Sequence, residues 1–352
     1  MNILYLIDNF SLGGAQTIVR GLMEQDGIKF RKYAVALRQK HPEMHISHPD
    51  VLTFPSRSRY SFRVLRYLKV FITEKEIGTV HCQLPRSILM GYFLKRAFPQ
   101  IRYIIHEQGD VFESRTYAML LKILQKKADG ILACSQATAN VLNQRVRLDP
   151  GRIFVLYNFV DTVRFAPCSS TPFPIRRIAF AGRIEKRKGW REFVKAAGCF
   201  RDREELCFYL AGTGTEVKKL LRAIRKQKGA CIRFVGFRED IHAFYAEMDL
   251  LVIPSHFEPM GMVAIEAMAC GLPVLAADVP GLNEIVISGE NGWTYASGSV
   301  NALTGALDNI MAASPDLIQR IVAGGRDRAL EFSIRDFLLS LQHYYESIPG
   351  PL

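Results

Sequence analysis

The sequence predicts an α/β protein made of two Rossmann-like, doubly wound units. Short apolar runs recur along the chain with amphipathic stretches between them, which is the pattern of parallel strands covered by helices on both faces. At 352 residues the chain can form two domains that each bury a core, and 49% hydrophobic with 23% charged residues is typical of globular proteins. Residues 167–172, rich in proline and serine, separate the two series of runs and predict a linker.

The predicted elements follow these runs. In the first half the strands are Asn2–Ile7, Tyr33–Leu37, Gly78–His81, Tyr103–His106 and Gly130–Cys134; in the second they are Arg177–Ala181, Cys207–Ala211, Cys231–Val235, Leu250–Pro254 and Pro273–Ala276. Amphipathic helices are predicted over Trp190–Phe200, Thr215–Gln227 and Ser299–Ala313. The predicted domains are residues 1–167 and 168–332. Residues 333–352 are predicted to carry a C-terminal helix that either caps the second domain or crosses back to the first.

The net charge of +12 is concentrated in the first half. Residues 1–165 hold 24 Lys and Arg against 13 Asp and Glu, whereas the remainder holds 22 against 21. The excess predicts that the first half meets an anionic partner, for which a nucleic acid, a membrane surface and a phosphorylated acceptor are candidates.

The cysteines and the apolar pattern predict a cytoplasmic protein. The seven cysteines are odd in number and never spaced as C-x-x-C, which favours buried reduced thiols over a disulfide framework or a zinc site. No apolar stretch approaches the roughly 20 residues that span a bilayer. The start, MNILYLIDNF, is interpreted as a buried strand and not as a signal peptide.

The strongest chemical pattern lies in the segment 256–274. Glu258 follows a predicted strand, and a helix is predicted from near Met260 to a stop at Gly271. Open α/β sheets bind ligands at this end of their strands, and helix starts favour phosphate. Glu266 lies in an otherwise apolar run, where an unpaired carboxylate is costly. We therefore interpret the two acids as contacts to the hydroxyls of a sugar and of a ribose, and not as a helix cap and a surface charge.

A basic loop follows the first predicted strand of the second half. It runs from Gly182-Arg183 to Lys188-Gly189. Around one strand-to-helix turn, the Arg183 guanidinium and the Lys188 ammonium can converge on a diphosphate. The alternative is a solvated basic loop.

A glycine turn follows the first predicted strand of the chain. Gly13-Gly14 lies within Ser11–Gln16, where a helix is predicted to begin, so the backbone can approach an anion closely. The alternative is a tight loop without a ligand. The spacing is not G-x-G-x-x-G, so a dinucleotide site is not predicted.

These motifs together resemble those of the retaining glycosyltransferases of the glycogen-synthase-like group 1 family, glycosyltransferase family 4. The resemblance rests on Glu258-x7-Glu266 followed by Ala-Met-Ala-Cys-Gly-Leu-Pro-Val, and on the Gly-Arg…Lys-Gly loop before it. Gly13-Gly14, Asn158–Phe165, Leu210–Gly214 and Phe234–Phe237 match further motifs in the family's order, so the resemblance spans nearly the whole chain. Phe159 stands where the family usually has glycine, and Gln83 stands where a second histidine is common; both departures concern the acceptor side.

The resemblance implies a GT-B fold, with two doubly wound domains facing a cleft, and a role for each motif. The implied catalytic residues are His106, Arg183, Lys188 and Glu258. The implied donor-binding residues are Gly13, Gly14, Gly182, Phe237, Met260, Gly261, Met262, Val263 and Glu266. In these roles Gly14 approaches the donor diphosphate, and Arg183 and Lys188 bind it and stabilise the charge of the leaving group. Glu258 holds the donor sugar together with the amides of residues 260–263, Glu266 holds the ribose, the main chain near Phe237 meets the base, and His106 lies beside the sugar.

The implied reaction is transfer of a sugar, with retention, from a nucleotide sugar such as a UDP- or GDP-sugar to an envelope glycan. The acceptor classes are a lipid-linked oligosaccharide, lipopolysaccharide and a capsule precursor. Glu107 is the one carboxylate near His106, and the family's favoured proposal is front-side attack with the leaving phosphate as base. No Asp-x-Asp occurs in the chain, so neither a metal nor another cofactor is expected.

Two other functions remain open. A GT-B-fold sugar-nucleotide 2-epimerase would bind the donor without transferring its sugar. A nucleic-acid-binding or scaffolding protein would explain the charge but not the donor motifs, so nucleic acid is not an expected partner.

The segment 54–69 suggests a membrane partner. It contains Arg57, Arg59, Arg63, Arg66 and Lys69, no acid, and interleaved aromatic residues. On a helix these residues form a basic, aromatic stripe suited to anionic headgroups, and a solvated helix is the alternative. The hypothesis is peripheral attachment to the inner face of the membrane.

Overall fold

The computed structural model describes residues 2–11, 13–25, 30–39, 46, 48–55, 62–167 and 173–348. Its contacts divide the chain into two units. Unit 1 comprises Met1–Phe159 and Ile334–Leu352, and unit 2 comprises Val160–Ser333. The ends of unit 2 meet, because the Val160 amide donates to the Phe332 carbonyl oxygen at 2.9 Å and Val160 also bridges to Ser333. The boundary predicted between residues 167 and 168 lies further along the chain, and residues 168–172 lie outside the described part.

Unit 1 contains a seven-stranded sheet in which all strands run parallel. Its strands are β1 (Asn2–Ile7), β2 (Arg31–Ala36), β3 (Val51–Thr53), β4 (Ile77–Gln83), β5 (Arg102–Glu107), β6 (Gly130–Ala133) and β7 (Ile153–Val155). Its helices are α1 (Gly14–Glu24), α2 (Phe62–Glu74), α3 (Pro85–Ala97), α4 (Asp110–Glu113), α5 (Arg115–Leu124) and α6 (Gln136–Val141). The strand order is β3-β2-β1-β4-β5-β6-β7, so the order reverses between β1 and β4.

Both faces of this sheet are buried. Because side chains alternate along a strand, Leu4 and Leu6 pack with α2, α3 and α5 on one face, while Tyr5 and Ile7 pack with α1 on the other. Strands buried on both faces require nearly continuous apolar runs, which explains why they could be located from sequence.

Unit 2 contains a six-stranded sheet of the same kind. Its strands are β8 (Arg177–Ala181), β9 (Cys207–Ala211), β10 (Ile232–Gly236), β11 (Leu250–Ile253), β12 (Val274–Asp278) and β13 (Trp293–Ala296). Its helices are α7 (Trp190–Cys199), α8 (Val217–Lys226), α9 (Ile241–Ala246), α10 (Met262–Ala269), α11 (Val300–Met311) and α12 (Pro315–Leu330). All strands are parallel, and the order β10-β9-β8-β11-β12-β13 reverses between β8 and β11.

The C-terminal helix α13 (Ile334–Ser347) belongs to unit 1. Its buried residues Phe337, Leu341, Tyr344 and Tyr345 join the core on the α1 face of the unit 1 sheet. An apolar face alone could not decide between the two destinations that the sequence left open.

The ten strands predicted from sequence are present, with ends that differ by a few residues. Three further strands, β3, β7 and β13, were not predicted because each has only three or four residues at or near a sheet edge. None of the described helices is long and apolar enough to cross a bilayer.

Two expectations about the cysteines are wrong. Cys207 and Cys231 form a disulfide with their Cα atoms 4.7 Å apart; Cys207 begins β9, and Cys231 immediately precedes the neighbouring strand β10. Cys82, Cys134 and Cys270 are buried free thiols, whereas Cys199 is exposed and not buried as expected. The pairing follows from strand register, which the spacing of cysteines along the sequence does not contain.

Candidate functional site

The loops after β8 and β11 meet at the point where the strand order of unit 2 reverses. These strands are direct neighbours, so the loops that leave their carboxyl ends lie side by side although they are about 70 residues apart. Ligands of open α/β sheets bind at such a reversal. The basic loop with Arg183 and Lys188 and the loop with Glu258 are therefore brought together by topology.

Gly189 permits the close approach of these two loops. It has a φ of 68°, and a Cβ there would lie 1.7 Å from the Pro254 carbonyl oxygen, so any other residue would push the loops apart. Beside it, the His256 amide donates to the Arg187 carbonyl oxygen at 2.8 Å. The backbone thus fixes the distance between the basic loop and the acidic one.

Lys188 and Glu258 form an ion pair across this junction. The Lys188 ammonium donates to Glu258 Oε2, and Ser255 Oγ donates to the same oxygen at 3.3 Å. The side chains are only 13% and 12% exposed, so most of their hydration is lost and each depends on the other. The pair presents a cation that can meet a phosphate and a carboxylate that can accept from hydroxyl groups.

Arg183 lies in the same loop as Lys188, and its side chain is more exposed than that of Lys188. Its side chain is 55% exposed and pairs with Glu185 at 3.3 Å, and Glu185 also pairs with Arg187 at 3.4 Å. Gly182 precedes it, at a point where the loops after β8 and β9 touch. An exposed guanidinium held by one surface carboxylate can turn to an anionic ligand with little loss of stability.

Helix α10 begins immediately after the Glu258 loop. Gly261 is its N-cap with a φ of 92°, and no side chain caps the first turn. The first amides of a helix have no partner within it, so this end suits an anion. The start predicted near Met260 is two residues early, and the side chain of Met260 is buried, which leaves it only a main-chain role. Met262 and Val263 are half-buried in the first turn, and Gly271 follows the last turn with a φ of 77°.

Glu266 lies about one turn into α10 and has a partner of its own. The Tyr245 hydroxyl donates to Glu266 Oε2 at 3.3 Å. Burial raises the pKa of the Glu266 carboxyl to about 7, although the Tyr245 hydrogen bond and the charge of Arg164 oppose the shift. A carboxyl group half charged near neutral pH gains from a ligand that donates hydrogen bonds to it.

In unit 1 the turn Gly13-Gly14 opens α1 at the reversal of strand order. Both glycines are exposed, and α1 has no side-chain cap. Gly13 has an extended φ of 174°, and a Cβ at Gly14 would meet no atom within 4 Å. A Cβ at Gly14 would therefore not clash with the described structure, and the role of Gly14 stays a prediction.

His106 is fully buried near the carboxyl end of β5. Its Nδ1 lies 3.1 Å from His81 Nε2, and no described residue is within hydrogen-bonding distance of its Nε2. Gln83, aligned with His106 on β4, likewise has both amide atoms unpartnered within the described part of the chain. Burial lowers the pKa of His106 to about 3, which keeps the ring neutral.

Glu107 is committed to the fold. Its Oε1 accepts the amides of Gly109 and Val111 at 3.0 and 2.9 Å, and its Oε2 accepts the Tyr117 hydroxyl at 2.7 Å. Successive residues of a strand point to opposite faces, so Glu107 lies on the α5 face and His106 on the α1 face. The carboxylate next to His106 in sequence is thus not next to it in space.

Several contributing residues could not be found from sequence. Ser255, Glu185 and Tyr245 hold Glu258, Arg183 and Glu266, respectively. Ser255 and Tyr245 are ordinary polar residues outside the motifs, and Glu185 lies inside the basic loop without a predicted role. Asp8 is another: at the end of β1 it accepts the amides of Arg86 and Ser87 at 3.1 and 2.8 Å, where α3 begins. Phe237 follows the edge strand β10 and is 49% exposed, and its role stays a prediction.

The raised pKa of Glu266 predicts a pH dependence of stability. The folded carboxyl has a pKa of about 7 against 4.5 for an ordinary glutamate, so the stability linked to this group is complete below pH 4.5 and is lost as pH rises through 7. Glu266→Gln removes this loss. At pH 8 we expect the variant to have a higher melting temperature than the wild type, and a free energy of unfolding greater by at most about 3 kcal/mol. Near pH 5 we expect the two proteins to have the same melting temperature.

Glu239→Gln is the matched control, because it makes the same chemical change at an exposed position in the loop after β10. Melting curves from pH 4.5 to 8.5 make the comparison. If the difference in melting temperature between the wild type and Glu266→Gln were the same at every pH, the Glu266 carboxyl would not titrate between pH 4.5 and 8.5.

Comparison with known proteins identifies the family of both units. A model described as "Glycosyltransferase Family 4" matches residues 13–164, and one described as "Glycosyl transferases group 1" matches residues 175–313. A glycogen synthase of Mycobacterium tuberculosis (strain H37Rv) is 29% identical over 216 residues, which cover 58% of this chain and 50% of that protein. The matched part thus spans about half the length of this curated relative.

Solved structures match the fold over nearly the whole chain. A sucrose-phosphate synthase from Thermosynechococcus elongatus has a TM-score of 0.85 at 22% identity, covering 98% of both chains. The Anabaena protein HepE in complex with UDP and glucose has a TM-score of 0.84 at 20% identity, covering 99% of this chain and 100% of that one. The α/β architecture of two parallel sheets that these matches share is the GT-B fold, and the chain belongs to the group 1 glycosyltransferases of family 4.

Proposed function

We propose that the protein transfers a sugar from a nucleotide sugar, with retention at the anomeric carbon, to a glycan acceptor of the cell envelope. The observation that carries the proposal is the Lys188–Glu258 ion pair at the strand reversal of unit 2. Such a pair places a hydrogen-bond donor for phosphate, the Lys188 ammonium, next to a hydrogen-bond acceptor for sugar hydroxyls, the Glu258 carboxylate. The family supports transfer in general, and the HepE complex with UDP and glucose supports the donor class.

Each part of the donor is assigned to residues of unit 2. The diphosphate exchanges its hydration for Lys188, Arg183 and the first amides of α10, which stabilise the negative charge of the leaving group. The sugar hydroxyls donate to Glu258, and the ribose hydroxyls donate to Glu266. The proposed roles of Gly182 and the main chain of residues 260–263 follow from their places in the two loops that carry this pair, and the proposed role of Phe237 follows from the family resemblance.

The proposed contributions of unit 1 are His106 and Gly14. A neutral imidazole can hydrogen-bond a sugar hydroxyl, and the exposed Gly14 amide lies at a helix start that suits phosphate. Because Glu107 lies on the other face of the sheet, it is not the nucleophile of a double displacement. A front-side mechanism in which the leaving phosphate takes the acceptor proton needs no such carboxylate.

Substitution of the two cations tests the donor site. Arg183→Ala and Lys188→Ala are expected to lower release of nucleoside diphosphate from the preferred donor by about 100-fold or more, as for other single donors to a developing anion. The panel is UDP-, GDP- and ADP-sugars, with and without envelope lipid. We propose that no divalent metal is needed, so release continues in EDTA.

Lys186→Ala is the matched control, since Lys186 is an exposed cation of the same turn. Circular dichroism and melting temperature report folding, which matters for Lys188→Ala because it leaves Glu258 unpaired. The exposed Arg183 carries no such risk. Near-normal release by both folded variants would remove the site assignment, and nucleotide-sugar conversion without transfer to any acceptor would favour an epimerase.

We further propose that unit 1 rests on an anionic membrane surface. Arg63, Arg66 and Lys69 are exposed on α2, which supports the hypothesis, whereas Arg57 and Arg59 lie outside the described residues.

Of the aromatic residues in the expected stripe, Tyr67 packs against the core, with its ring centroid 5.9 Å from that of the buried Phe71. Tyr60 and the side chain of Phe62 lie outside the described structure. Tyr67 thus faces the core, and the described outer face of α2 presents its three cations together with the exposed Val70 and Glu74.

Further exposed apolar side chains lie on the neighbouring helices. Phe93 of α3 and Met119 and Ile123 of α5 are 43%, 67% and 56% exposed, and α3 packs against both α2 and α5. Adjacent helices of one layer thus carry cations, which can bind anionic lipid headgroups, and apolar side chains, which can insert at the boundary with the acyl chains.

Co-sedimentation with vesicles tests the membrane proposal. We expect binding to phosphatidylglycerol vesicles but not to phosphatidylcholine vesicles, and loss of most binding in Arg63→Glu/Arg66→Glu, since each cation near an anionic surface contributes about 1 kcal/mol. Lys218→Glu/Arg222→Glu on α8 of unit 2 makes the same change of charge as a control. Equal recovery with both vesicle types, or equal loss in both variants, would contradict the proposal.

A further inference from the structure

A carboxylate in the loop after β9 holds the end of the basic loop. Glu216 immediately precedes α8, and its side chain is only 13% exposed. Its Oε2 accepts from Trp190 Nε1 at 3.1 Å, and its Oε1 accepts from Arg191 Nη2 at 2.8 Å. Trp190 and Arg191 are the first two residues of α7 and follow Gly189, the last residue of the basic loop. One carboxylate thus binds the point at which the basic loop becomes a helix.

The start of the basic loop is held by the backbone of the same neighbouring loop. The Ile184 amide donates to the Thr213 carbonyl oxygen at 2.9 Å, and the Glu216 amide donates to the Ile184 carbonyl oxygen at 3.0 Å. A Cβ at Gly214 would lie 2.5 Å from that Ile184 oxygen, so the two loops are in direct contact. The basic loop is therefore fixed to the loop after β9 at both of its ends.

The contacts of Glu216 with α7 leave its partners little freedom. The Arg191 guanidinium lies over the Trp190 ring, 4.5 Å from its centroid, and pairs with the carboxylate from the other side. The Trp190 side chain is buried, and a buried indole N–H needs an acceptor, which Glu216 supplies. Loss of this carboxylate would affect a buried donor and an ion pair together.

The next residue of α7 contacts the loop that carries Glu258. Glu192 Oε1 lies 3.4 Å from His256 Nε2, and His256 is two residues before Glu258. Because β8 lies between β9 and β11 in the sheet, the first turn of α7 is held between the loops that follow these two strands. The basic loop, which ends at this turn, cannot shift without breaking contacts on one side or the other.

We propose that Glu216 is a positioning residue, which holds the basic loop in the conformation that lets Arg183 and Lys188 converge on a diphosphate. Its effect on the donor rests on the proposed function. Its effect on the loop does not, because it follows from contacts within the protein.

The Glu216 carboxylate is charged throughout the neutral pH range. The hydrogen bond from Arg191, followed by that from Lys219, lowers the pKa of Glu216 to about 2. The Lys219 side chain is 64% exposed, so its contact at 2.9 Å contributes little to stability. The contacts with α7 are therefore the ones that matter, and they persist over the pH range of any assay.

Glu216→Gln tests the effect on the loop in the protein without ligand. Glutamine has the size of glutamate but only one side-chain oxygen, so its NH2 group must face either the indole N–H or the guanidinium, which are both donors. We expect amide hydrogen exchange over residues 183–189 to become about tenfold faster, the equivalent of one lost hydrogen bond, while exchange in α12 stays unchanged. Arg191→Ala removes the partner instead of the carboxylate, and we expect faster exchange in the same segment.

The second measurement compares ligands with and without a diphosphate. NMR titrations with UDP, GDP and ADP, and with uridine, guanosine and adenosine, give the affinity for each. We expect Glu216→Gln to bind the preferred nucleoside diphosphate about tenfold more weakly than the wild type and to bind the corresponding nucleoside equally well. A role confined to stability would change both affinities alike.

Glu205→Gln is the matched control. It makes the same chemical change at an exposed position in the turn that precedes β9, whereas Glu216 lies in the loop that follows that strand. We expect wild-type exchange over residues 183–189 and wild-type affinities for all six ligands.

Two outcomes overturn the proposal: wild-type exchange over residues 183–189 in the folded variants, or equal weakening of nucleoside diphosphate and nucleoside by Glu216→Gln. If exchange becomes faster as expected but the wild type binds no nucleoside diphosphate, the proposed function fails and the effect of Glu216 on the loop stands. If the wild type binds one and Glu216→Gln binds it as tightly, the positioning role is contradicted while the proposed function stands.

Discussion

All strands of each sheet run in one direction, and the arrangement of the candidate site depends on this constraint. Parallel strands place the loops that follow them along a single edge of the sheet, and a reversal of strand order leaves room between two of those loops. In unit 2 the reversal brings Lys188 to Glu258. In unit 1 it lies beside the Gly13-Gly14 turn, which opens α1 after the first strand.

The Lys188–Glu258 pair explains how two opposite charges remain stable in a partly buried site that holds no ligand. Each neutralises the other while the donor is absent, and the Ser255 hydroxyl supports the carboxylate. In the proposed function, the diphosphate takes the place of Glu258 beside Lys188 and the sugar hydroxyls donate to Glu258, so neither partly buried group is left without a partner. Arg183, which is more exposed, can add its charge without breaking a buried contact.

Much of this could be predicted from sequence because the informative signals are local. Continuous apolar runs located ten strands, and a loop acid followed by a helix stop at Gly271 located Glu258 and α10. What was missed depends on register and on distant packing. Glu107 follows His106 directly but points to the other face, Cys207 meets Cys231 through strand pairing, and Tyr345 reaches His81 from the far end of the chain. None of these has a signal within a short window of sequence.

The central claim is that this chain holds a nucleotide sugar by both its nucleotide and its sugar. Saturation-transfer NMR with UDP-, GDP- and ADP-glucose tests it most directly, because protons near the protein are identified one by one. We expect at least one donor to receive saturation at its ribose and at its hexose protons, and free glucose at the same concentration to receive none. Transfer to no member of the panel, or to the base protons alone, would contradict it.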